Sequence, residues 1–215
     1  MAVVWEHACL LVVGHLSGTP RRGAALLLQR RGQRRQLMCP GGLRDRRDVD
    51  GCATAFREFA EEVLGLKSSA AVTRGAELRA AARSLRGPYG SGRHQAFLCS
   101  ADELFGSIEA AQAAFRANRE ASTAVLVALD GLDGGATRVT DVGGAAHDLR
   151  NHLGVRRVND AHAMLRSLEA KRLGPGRRLG AGGVAAGPDD EPSGFNRVLR
   201  ALRDMRERHR RFAPY

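Results

Sequence analysis

Three glutamates lie close together in the chain, at positions 58, 61 and 62, directly after Arg57. On a helix with about 3.6 residues per turn, this spacing places Glu58, Glu61 and Glu62 on one face. Carboxylates this close repel one another, and a bound divalent cation reverses that interaction. Because oxygen ligands suit hard cations, the pattern predicts Mg²⁺ or Mn²⁺ at these three acids. Such a cation keeps positions open for water and for phosphate oxygens, so the chemistry indicated is metal-assisted hydrolysis.

The helix that carries these acids is predicted over Cys52–Leu64, with Gly65 as its C-terminal cap. Residues 56, 59, 60 and 63 are apolar and fall on another face, so that face can be buried. Arg57 can reach Glu61 one turn further on and hold it in position. The alternative without chemistry is a solvated acidic face with an ordinary Arg–Glu pair, and the Gly41–Gly42 pair and the apolar face argue against it.

This segment resembles the Nudix box, Gx5Ex7REUxEExGU, in which U is a bulky aliphatic residue. Residues 57–62 match its catalytic half, with Phe59 in the aliphatic place, and Gly42 matches its leading glycine. The chain departs from the box twice: Gly42 and Arg57 are one position further apart than in the box, with Asp48 as the first acid, and one extra residue precedes Gly65. A loop and the helix end can absorb these insertions, whereas the role of Asp48 stays open.

The resemblance implies an α/β fold, the Nudix-type α/β/α sandwich with a mixed sheet, and hydrolysis of a nucleoside-linked pyrophosphate. It implies that Arg57 orients the three glutamates and that the Gly41–Gly42 backbone forms a turn beside the substrate, with Gly42 supplying a carbonyl to the metal. Nudix enzymes often use a late glutamate near the last strand to assist the nucleophile or the metal. Glu120 is the candidate here, and a solvated loop acid is the alternative.

Outside the box, the chain is similar to a nuclear decapping branch of the Nudix family that acts on U8 small nucleolar RNA and on inosine diphosphate. The likeness is patchy and runs from about residue 5 to residue 130. It rests on Trp5, His7, Ala8, Cys9, Pro40, Gly41, Gly42, Gly90, Gly92, Arg93 and the Leu104–Glu109 helix. In that branch the histidine beside the tryptophan helps to bind the base, so His7 is the matching candidate, with a strand-edge histidine as the alternative. The branch places an aromatic residue where Cys39 stands, so base stacking is weakened or supplied elsewhere.

The formal net charge is +11, and arginine supplies almost all of the positive charge, since Lys67 and Lys171 are the only lysines. Guanidinium groups bind phosphate through paired hydrogen bonds, so the excess suits a phosphate-bearing partner. Arg30 and Arg31 are the predicted substrate-binding arginines. They would form an RNA groove together with Arg21, Arg22, Arg34 and Arg35. Solvated basic loops and a GC-rich genome are the alternatives.

Hydrophobic periodicity divides the chain into strands, helices and a tail. Strands are predicted at Ala8–Val13, Ala24–Gln29, His94–Cys99 and Thr123–Leu129, helices at Ala101–Ala117 and Val155–Leu173, and a loop at Ser17–Gly23. We expect a Nudix domain over residues 1–173, a Gly/Pro/Ala-rich linker over 174–194 and a basic C-terminal helix over 195–215. The arginines of that helix are a second predicted basic surface.

The four cysteines, Cys9, Cys39, Cys52 and Cys99, lack metal-ligand spacing, so reduced and partly buried thiols are expected. No apolar run reaches the roughly 18 residues needed to span a bilayer. These features favour an intracellular protein of the nucleus or cytoplasm, with no membrane partner and with the monomer and the homodimer both open.

Three functions are compatible with these patterns. The preferred one is decapping, which converts capped RNA to a cap nucleotide and a 5′-phosphorylated RNA. The second is hydrolysis of free nucleoside diphosphates such as inosine diphosphate. The third is a non-catalytic Nudix-fold module that binds RNA or protein. Because degenerate members usually lose box carboxylates and all three remain here, the third is disfavoured.

Overall fold

The structure is a computed structural model that describes residues 5–32, 36–90, 92–132, 136–150 and 155–173 of the 215-residue chain. All of them belong to the unit Met1–Gly174, the first of two into which the chain divides. The predicted linker over 174–194, the basic helix over 195–215, and Arg34 and Arg35 lie outside the described residues. Among the described helices, none combines the length and the apolar character needed to cross a membrane.

Strands and helices alternate along the described chain. The strands are β1 (His7–Leu16), β2 (Thr19–Arg30), β3 (Gln36–Met38), β4 (Gly41–Leu43), β5 (Arg86–Tyr89), β6 (His94–Ser100), β7 (Ala121–Ala128), β8 (Arg138–Thr140) and β9 (Ala146–Leu149). The helices are α1 (Gly51–Glu62), α2 (Ser68–Ala81), α3 (Ala101–Phe105), α4 (Ile108–Ala113) and α5 (Val155–Leu173). A short 3₁₀ turn, Leu129–Gly131, follows β7.

One mixed sheet joins these strands in the order β5-β6-β1-β2-β3-β9-β8, with β4 paired to β1 and β7 paired to β2. β1 and β6 are parallel, with Val12 opposite Cys99, whereas β1 and β2 are antiparallel, with Val12 opposite Leu26. Both kinds of pairing in one sheet, between helical layers, confirm the predicted α/β class with a mixed sheet.

Two apolar cores lie on the two faces of this sheet because successive strand side chains point to opposite faces. Ala8, Leu10 and Val12 of β1 join the core that contains Phe56 and Phe59 of α1. The other face carries Cys9, Leu11 and Val13, which pack with Val158, Ala161, Met164 and Leu165 of α5. Helix α1 therefore packs on one face of β1 and α5 on the other.

Helix α1 begins at a side-chain cap and ends at a left-handed glycine. The Asp50 carboxylate accepts a hydrogen bond from the Ala53 N–H at 2.7 Å, which satisfies a donor of the first turn. At the other end Gly65 has φ 67°, and the Leu66 N–H donates to the Ala60 carbonyl at 3.2 Å. The extra residue before Gly65 is thus absorbed after the last helical turn, beyond all three glutamates.

Several sequence predictions about local structure were wrong. The predicted helix Ala101–Ala117 is two helices, because Gly106 at φ 84° ends α3 and the Ser107 side chain caps α4. The predicted loop Ser17–Gly23 contains the start of β2, and α2 was not predicted. The alanine content of α2 was the available signal, since alanine has the highest helix propensity. The cysteine prediction is confirmed: Cys9, Cys39, Cys52 and Cys99 are free and buried.

Candidate active site

Arg57 is the centre of the polar network on α1. Its guanidinium forms ion pairs with Asp48 at 2.9 Å, Glu58 at 2.8 Å and Glu61 at 3.2 Å. It also donates to the Leu43 carbonyl at 2.8 Å. The predicted contact between Arg57 and Glu61 is present, and the same side chain ties α1 to the β4–α1 loop. A guanidinium can do this because it offers five donors in one plane.

Asp48 is buried and fully engaged in hydrogen bonds. It accepts from the Arg57 side chain, from the Thr54 hydroxyl at 2.9 Å and from the Asp45 N–H at 2.8 Å. Burial pushes the pKa of this carboxyl up, and the hydrogen bonds from Arg57 and its neighbours outweigh that effect and leave the pKa below its usual value. The structure therefore places Asp48 as the acid that holds Arg57.

Glu62 differs from the other two acids of the helix because no arginine among the described residues pairs with it. It is buried, and one carboxylate oxygen accepts the Gly41 N–H at 2.6 Å. Burial raises the pKa of Glu62 to about 8, and the charges of Glu58 and Glu120 add to that rise. Burial likewise raises the pKa of Glu58, to which the charges of Glu61 and Glu120 contribute. Glu58, Glu62 and Glu120 thus form a group of acids whose mutual repulsion is incompletely neutralised.

Gly41 and Gly42 lie in β4 and pair with Cys9 and Ala8 of β1, so the predicted turn at this position was wrong. The requirement for glycine is close approach, not a turn. A side chain at Gly42 would collide with the carboxylate of Glu58, and one at Gly41 would meet the Cys9 backbone at 2.5 Å. The strand pairing therefore brings β4 directly against the acidic face of α1.

Glu120 lies just before β7, and its exposed side chain is near the acids of α1. Its backbone carbonyl accepts from the Arg31 N–H at 2.8 Å. Asn118 connects this turn to the helix: its side-chain N–H donates to the Glu62 carbonyl at 2.7 Å, and its side-chain oxygen accepts from the Glu120 N–H at 2.9 Å. Sequence reasoning missed Asn118. An asparagine two residues before the candidate acid, in a turn, was the only available signal.

The two candidate substrate-binding arginines lie at the end of β2. Arg30 is opposite Ala121 of β7, and the Arg31 side chain donates to the Asn118 carbonyl at 2.7 Å. Arg31 therefore supports the turn that carries Glu120.

His7 is close to the acidic group along the strand but faces the other side of the sheet. Its neighbour Ala8 pairs with Gly42, whereas the His7 ring lies 5.8 Å from the ring of His94. Burial lowers the pKa of His7, and the charge of His94 lowers it further. Cys39, at the position of the branch's aromatic residue, is buried on that face beside Cys9. The structure does not bring His7 into contact with the carboxylates.

The acids fit a hard divalent cation by chemistry, although their side chains are not arranged around one. Within the described ranges, no three His, Cys, Asp or Glu side chains form a group that could hold a metal ion as positioned. The reason is visible at Arg57, which draws Glu58 and Glu61 towards itself. The fit follows from the donors: Glu58 and Glu62 are carboxylates with raised pKa values on one helix, and a cation would relieve their repulsion.

Two cavities in the described part of the chain lie away from these acids. The larger, of about 800 Å³, is lined by residues of the β7 edge and its neighbours: Leu16, Ser17, Arg22, Gln29, Glu109, Gln112, Thr123–Leu126, Asp141–Gly143, Ala145 and His147. The smaller, of about 270 Å³, lies beside α5. Neither is lined by an acid of the box.

No protein-family model matches the chain, and no curated protein matches it. Solved structures do resemble it. A MutT/nudix family protein from Enterococcus faecalis has 15% identity and a TM-score of 0.42; the match covers 77% of this chain and 63% of that one. A NUDIX hydrolase from Alicyclobacillus acidocaldarius has 19% identity and a TM-score of 0.35, covering 61% and 83%. An Ap4A hydrolase from C. elegans, solved as a binary complex, has 13% identity and a TM-score of 0.34, covering 79% and 98%. The chain spans less than two thirds of the Enterococcus protein, and likeness at this level concerns the fold alone.

Proposed function

We propose that this chain is a divalent-metal-dependent hydrolase of the Nudix type that cleaves a nucleoside-linked pyrophosphate. The observation that carries the proposal is the pair of acids on one face of α1, the half-buried Glu58 and the buried Glu62, with Glu58 directly against Gly42 and Glu120 near enough to raise the pKa of both. Acids of like charge that are partly or fully buried are unfavourable in the absence of a cation, so this arrangement supports a bound metal and its phosphate ligands.

Glu58, Glu61 and Glu62 would hold the cation, with the Gly42 carbonyl as a further ligand. When bound, Mg²⁺ or Mn²⁺ neutralises the diphosphate and lowers the pKa of a bound water. Arg57 positions Glu58 and Glu61 and is itself held by Asp48. A carboxylate of the group, Glu62 or Glu120, accepts a proton from the water that attacks phosphorus.

The favoured substrate is capped RNA, which would yield a cap nucleotide and a 5′-phosphorylated RNA. Two sequence features support it: the likeness of Trp5, His7 and the Pro40–Gly42 segment to the nuclear decapping branch, and the net charge of +11. A polyanionic substrate benefits from that charge more than a free nucleotide does, because every neutralised phosphate releases counterions.

Capped RNA and a panel of nucleoside diphosphates should be assayed with Mg²⁺, with Mn²⁺ and with excess chelator. We expect turnover that the chelator abolishes, and at least a 100-fold loss of kcat in Glu62→Gln and Glu61→Gln. Glu77→Gln is the matched control, since Glu77 is an exposed helical acid paired with Arg74. Turnover that persists in chelator, or in Glu61→Gln, contradicts the metal site.

The same panel separates the alternatives. Turnover of free diphosphates without capped RNA indicates the nucleotide hydrolase, and binding of RNA without any turnover indicates the non-catalytic module. Labelled phosphates in the cap identify the bond that is cleaved.

A further inference from the structure

The loop between β4 and α1 carries three acids and three arginines, and two of the arginines form no ion pair within the described part of the chain. Every acid has a partner: Asp45 pairs with Arg47 at 3.0 Å, Asp48 with Arg57 at 2.9 Å and Asp50 with Arg79 at 2.8 Å. The other two arginines of the loop, at positions 44 and 46, are exposed and form no ion pair with any residue that the structure describes.

Two large apolar side chains are exposed at the end of β4 and in this loop. Leu43, the last residue of β4, is 70% exposed, and Val49 in the loop is 80% exposed. The other exposed large hydrophobic in the described part of the chain, Val142, is only 43% exposed. Exposed single hydrophobics are common, but two this close in the chain, beside arginines without an ion pair to a described residue, indicate a contact surface.

Trp5 and Arg44 form a cation–π pair at this loop. The Arg44 guanidinium carbon lies 4.2 Å from the centroid of the Trp5 ring. The ring is held by its N–H, which donates to the Thr54 hydroxyl at 2.9 Å. The guanidinium therefore lies over one face of the ring, and because the Arg44 side chain is exposed it remains accessible to a planar ligand.

This set of residues, Leu43, Arg44, Arg46, Val49 and Trp5, is the box-loop surface, and it adjoins the candidate active site. The Leu43 carbonyl accepts from Arg57 at 2.8 Å, and the preceding residue, Gly42, contacts Glu58. This surface therefore lies within reach of a chain attached to a pyrophosphate at the acids.

We propose that the box-loop surface binds the single-stranded RNA that continues from the cleaved pyrophosphate. Arg44 and Arg46 would contact backbone phosphates, while the outer face of the Arg44–Trp5 pair and the two apolar side chains would stack against bases. Single-stranded nucleic acid is bound by positive groups that contact its backbone phosphates and by flat or apolar side chains that stack on its bases. The inference rests on the proposed function for the position of the RNA relative to the cleaved pyrophosphate. Binding of RNA to the surface does not depend on that function.

Trp5 is the only tryptophan of the chain, so its fluorescence reports on this surface directly. A 5′-hydroxyl oligouridylate, which carries no pyrophosphate, should be titrated into the full chain in chelator. We expect quenching of Trp5 and a dissociation constant that weakens with salt. Anisotropy of a labelled oligonucleotide gives the same constant without depending on Trp5.

Three variants separate stacking from charge. Arg44→Ala should weaken oligonucleotide binding by about 5- to 10-fold, and Arg44→Lys should recover only part of it, because lysine keeps the charge and loses the planar face. Arg46→Ala should reduce the slope of log affinity against log salt by about 0.7. The matched control is Arg166→Ala, since Arg166 is exposed on α5, across the sheet. Melting curves establish that each variant folds.

The kinetic measurement distinguishes this inference from the proposed function. Arg44→Ala should lower kcat/KM for capped RNA and leave kcat/KM for a small nucleoside diphosphate within about twofold. Hydrolysis that proceeds with Arg44→Ala and Arg166→Ala equally active on RNA overturns the inference and leaves the proposed function intact. If the oligonucleotide binds in an Arg44-dependent manner but no substrate is hydrolysed, the proposed function is overturned and the inference stands. Quenching of Trp5 by anionic lipid vesicles but not by oligonucleotide assigns the surface to a membrane and overturns the inference.

Discussion

At the scale of single residues, the site depends on Arg57, on the acids that pair with it and on Glu62, which does not. Arg57 pairs with Asp48, Glu58 and Glu61, so one guanidinium only partly offsets the charge of three carboxylates. Glu62 has no such partner among the described residues and keeps a raised pKa. Asp48 therefore serves to hold Arg57, whereas the acids of α1 keep negative charge that a bound cation would offset.

Asp48→Asn tests the structural role of the loop acid. Loss of the buried pair should lower the free energy of unfolding by about 2 kcal/mol at neutral pH. Because hydrogen bonds from Arg57 outweigh burial and depress the folded pKa of Asp48, its contribution is complete above the unfolded value of about 3.9 and is lost as pH falls further. Urea unfolding at pH 7 and pH 3 should therefore show a smaller difference between variant and wild type at pH 3.

The control for this experiment is Asp45→Asn. Asp45 pairs with Arg47 on the exposed side of the same loop, so its loss should leave the free energy of unfolding nearly unchanged. Equal effects of the two substitutions would show that burial beside Arg57 is not what stabilises the loop.

Gly42→Ala tests the close approach of β4 to α1. The added methyl would displace the Glu58 carboxylate, which is the end of a flexible side chain, so the effect on stability should be small. Misplacement of a catalytic group by about 1 Å costs on the order of 100-fold in rate, so kcat should fall by that order. Gly131→Ala is the matched control, since nothing lies within 4 Å of a Cβ there. Undiminished kcat in Gly42→Ala would argue against Glu58 in catalysis.

At the scale of elements, α1 is held from both sides so that its acidic face is presented to β4. Phe56 and Phe59 are fully buried against the sheet, and Asp50 joins the start of α1 to Arg79 of α2. Helix α2 packs directly on the backbone of α1. A Cβ at Gly75 would lie only 2.9 Å from the backbone nitrogen of Arg57. The small residue lets the two helices approach closely.

Gly75→Ala should separate these helices. Alanine gains about 1 kcal/mol of helix propensity over glycine, but overpacking against backbone costs about 1–3 kcal/mol, so a net loss of stability is expected. Chemical unfolding measures it, and activity should fall with it because Arg57 is the residue displaced. A more stable Gly75→Ala variant would show that the helices are not in tight contact.

At the scale of the whole molecule, the core residues and a large group of arginines lie in different parts of the sequence. Among the described residues, those of both apolar cores lie between Ala8 and Leu168. By contrast, seven arginines belong to the predicted C-terminal helix: Arg197, Arg200, Arg203, Arg206, Arg208, Arg210 and Arg211. We therefore expect the C-terminal segment to contribute to binding of a polyanion and not to the folding of the domain.

A chain ending at residue 173 tests this division. It should unfold cooperatively within a few degrees of the full-length protein, because both cores are retained. Its affinity for oligonucleotide should fall less steeply with salt, since fewer phosphates are neutralised. Calorimetry and binding at several salt concentrations measure the two effects. A strongly lowered melting temperature would place the C-terminal segment in the fold.

The sequence by itself determined the local features of this protein. Helical spacing alone places 58, 61 and 62 on one face opposite Phe56 and Phe59, and apolar runs alone predict β1, β6 and the bounds of α5, because these patterns depend on neighbours only a few residues away. The tertiary structure decided what required distant partners. Asp48 became the holder of Arg57, Gly42 became a point of close approach instead of a turn, and Asn118 and Glu120 came to lie at the end of α1. The contact of Gly42 with Glu58 requires β1 to pair with β4, and the position of Asn118 and Glu120 requires β2 to pair with β7. The Asp48–Arg57 pair forms between the loop and α1, and only the burial of Asp48 there gives it its structural role.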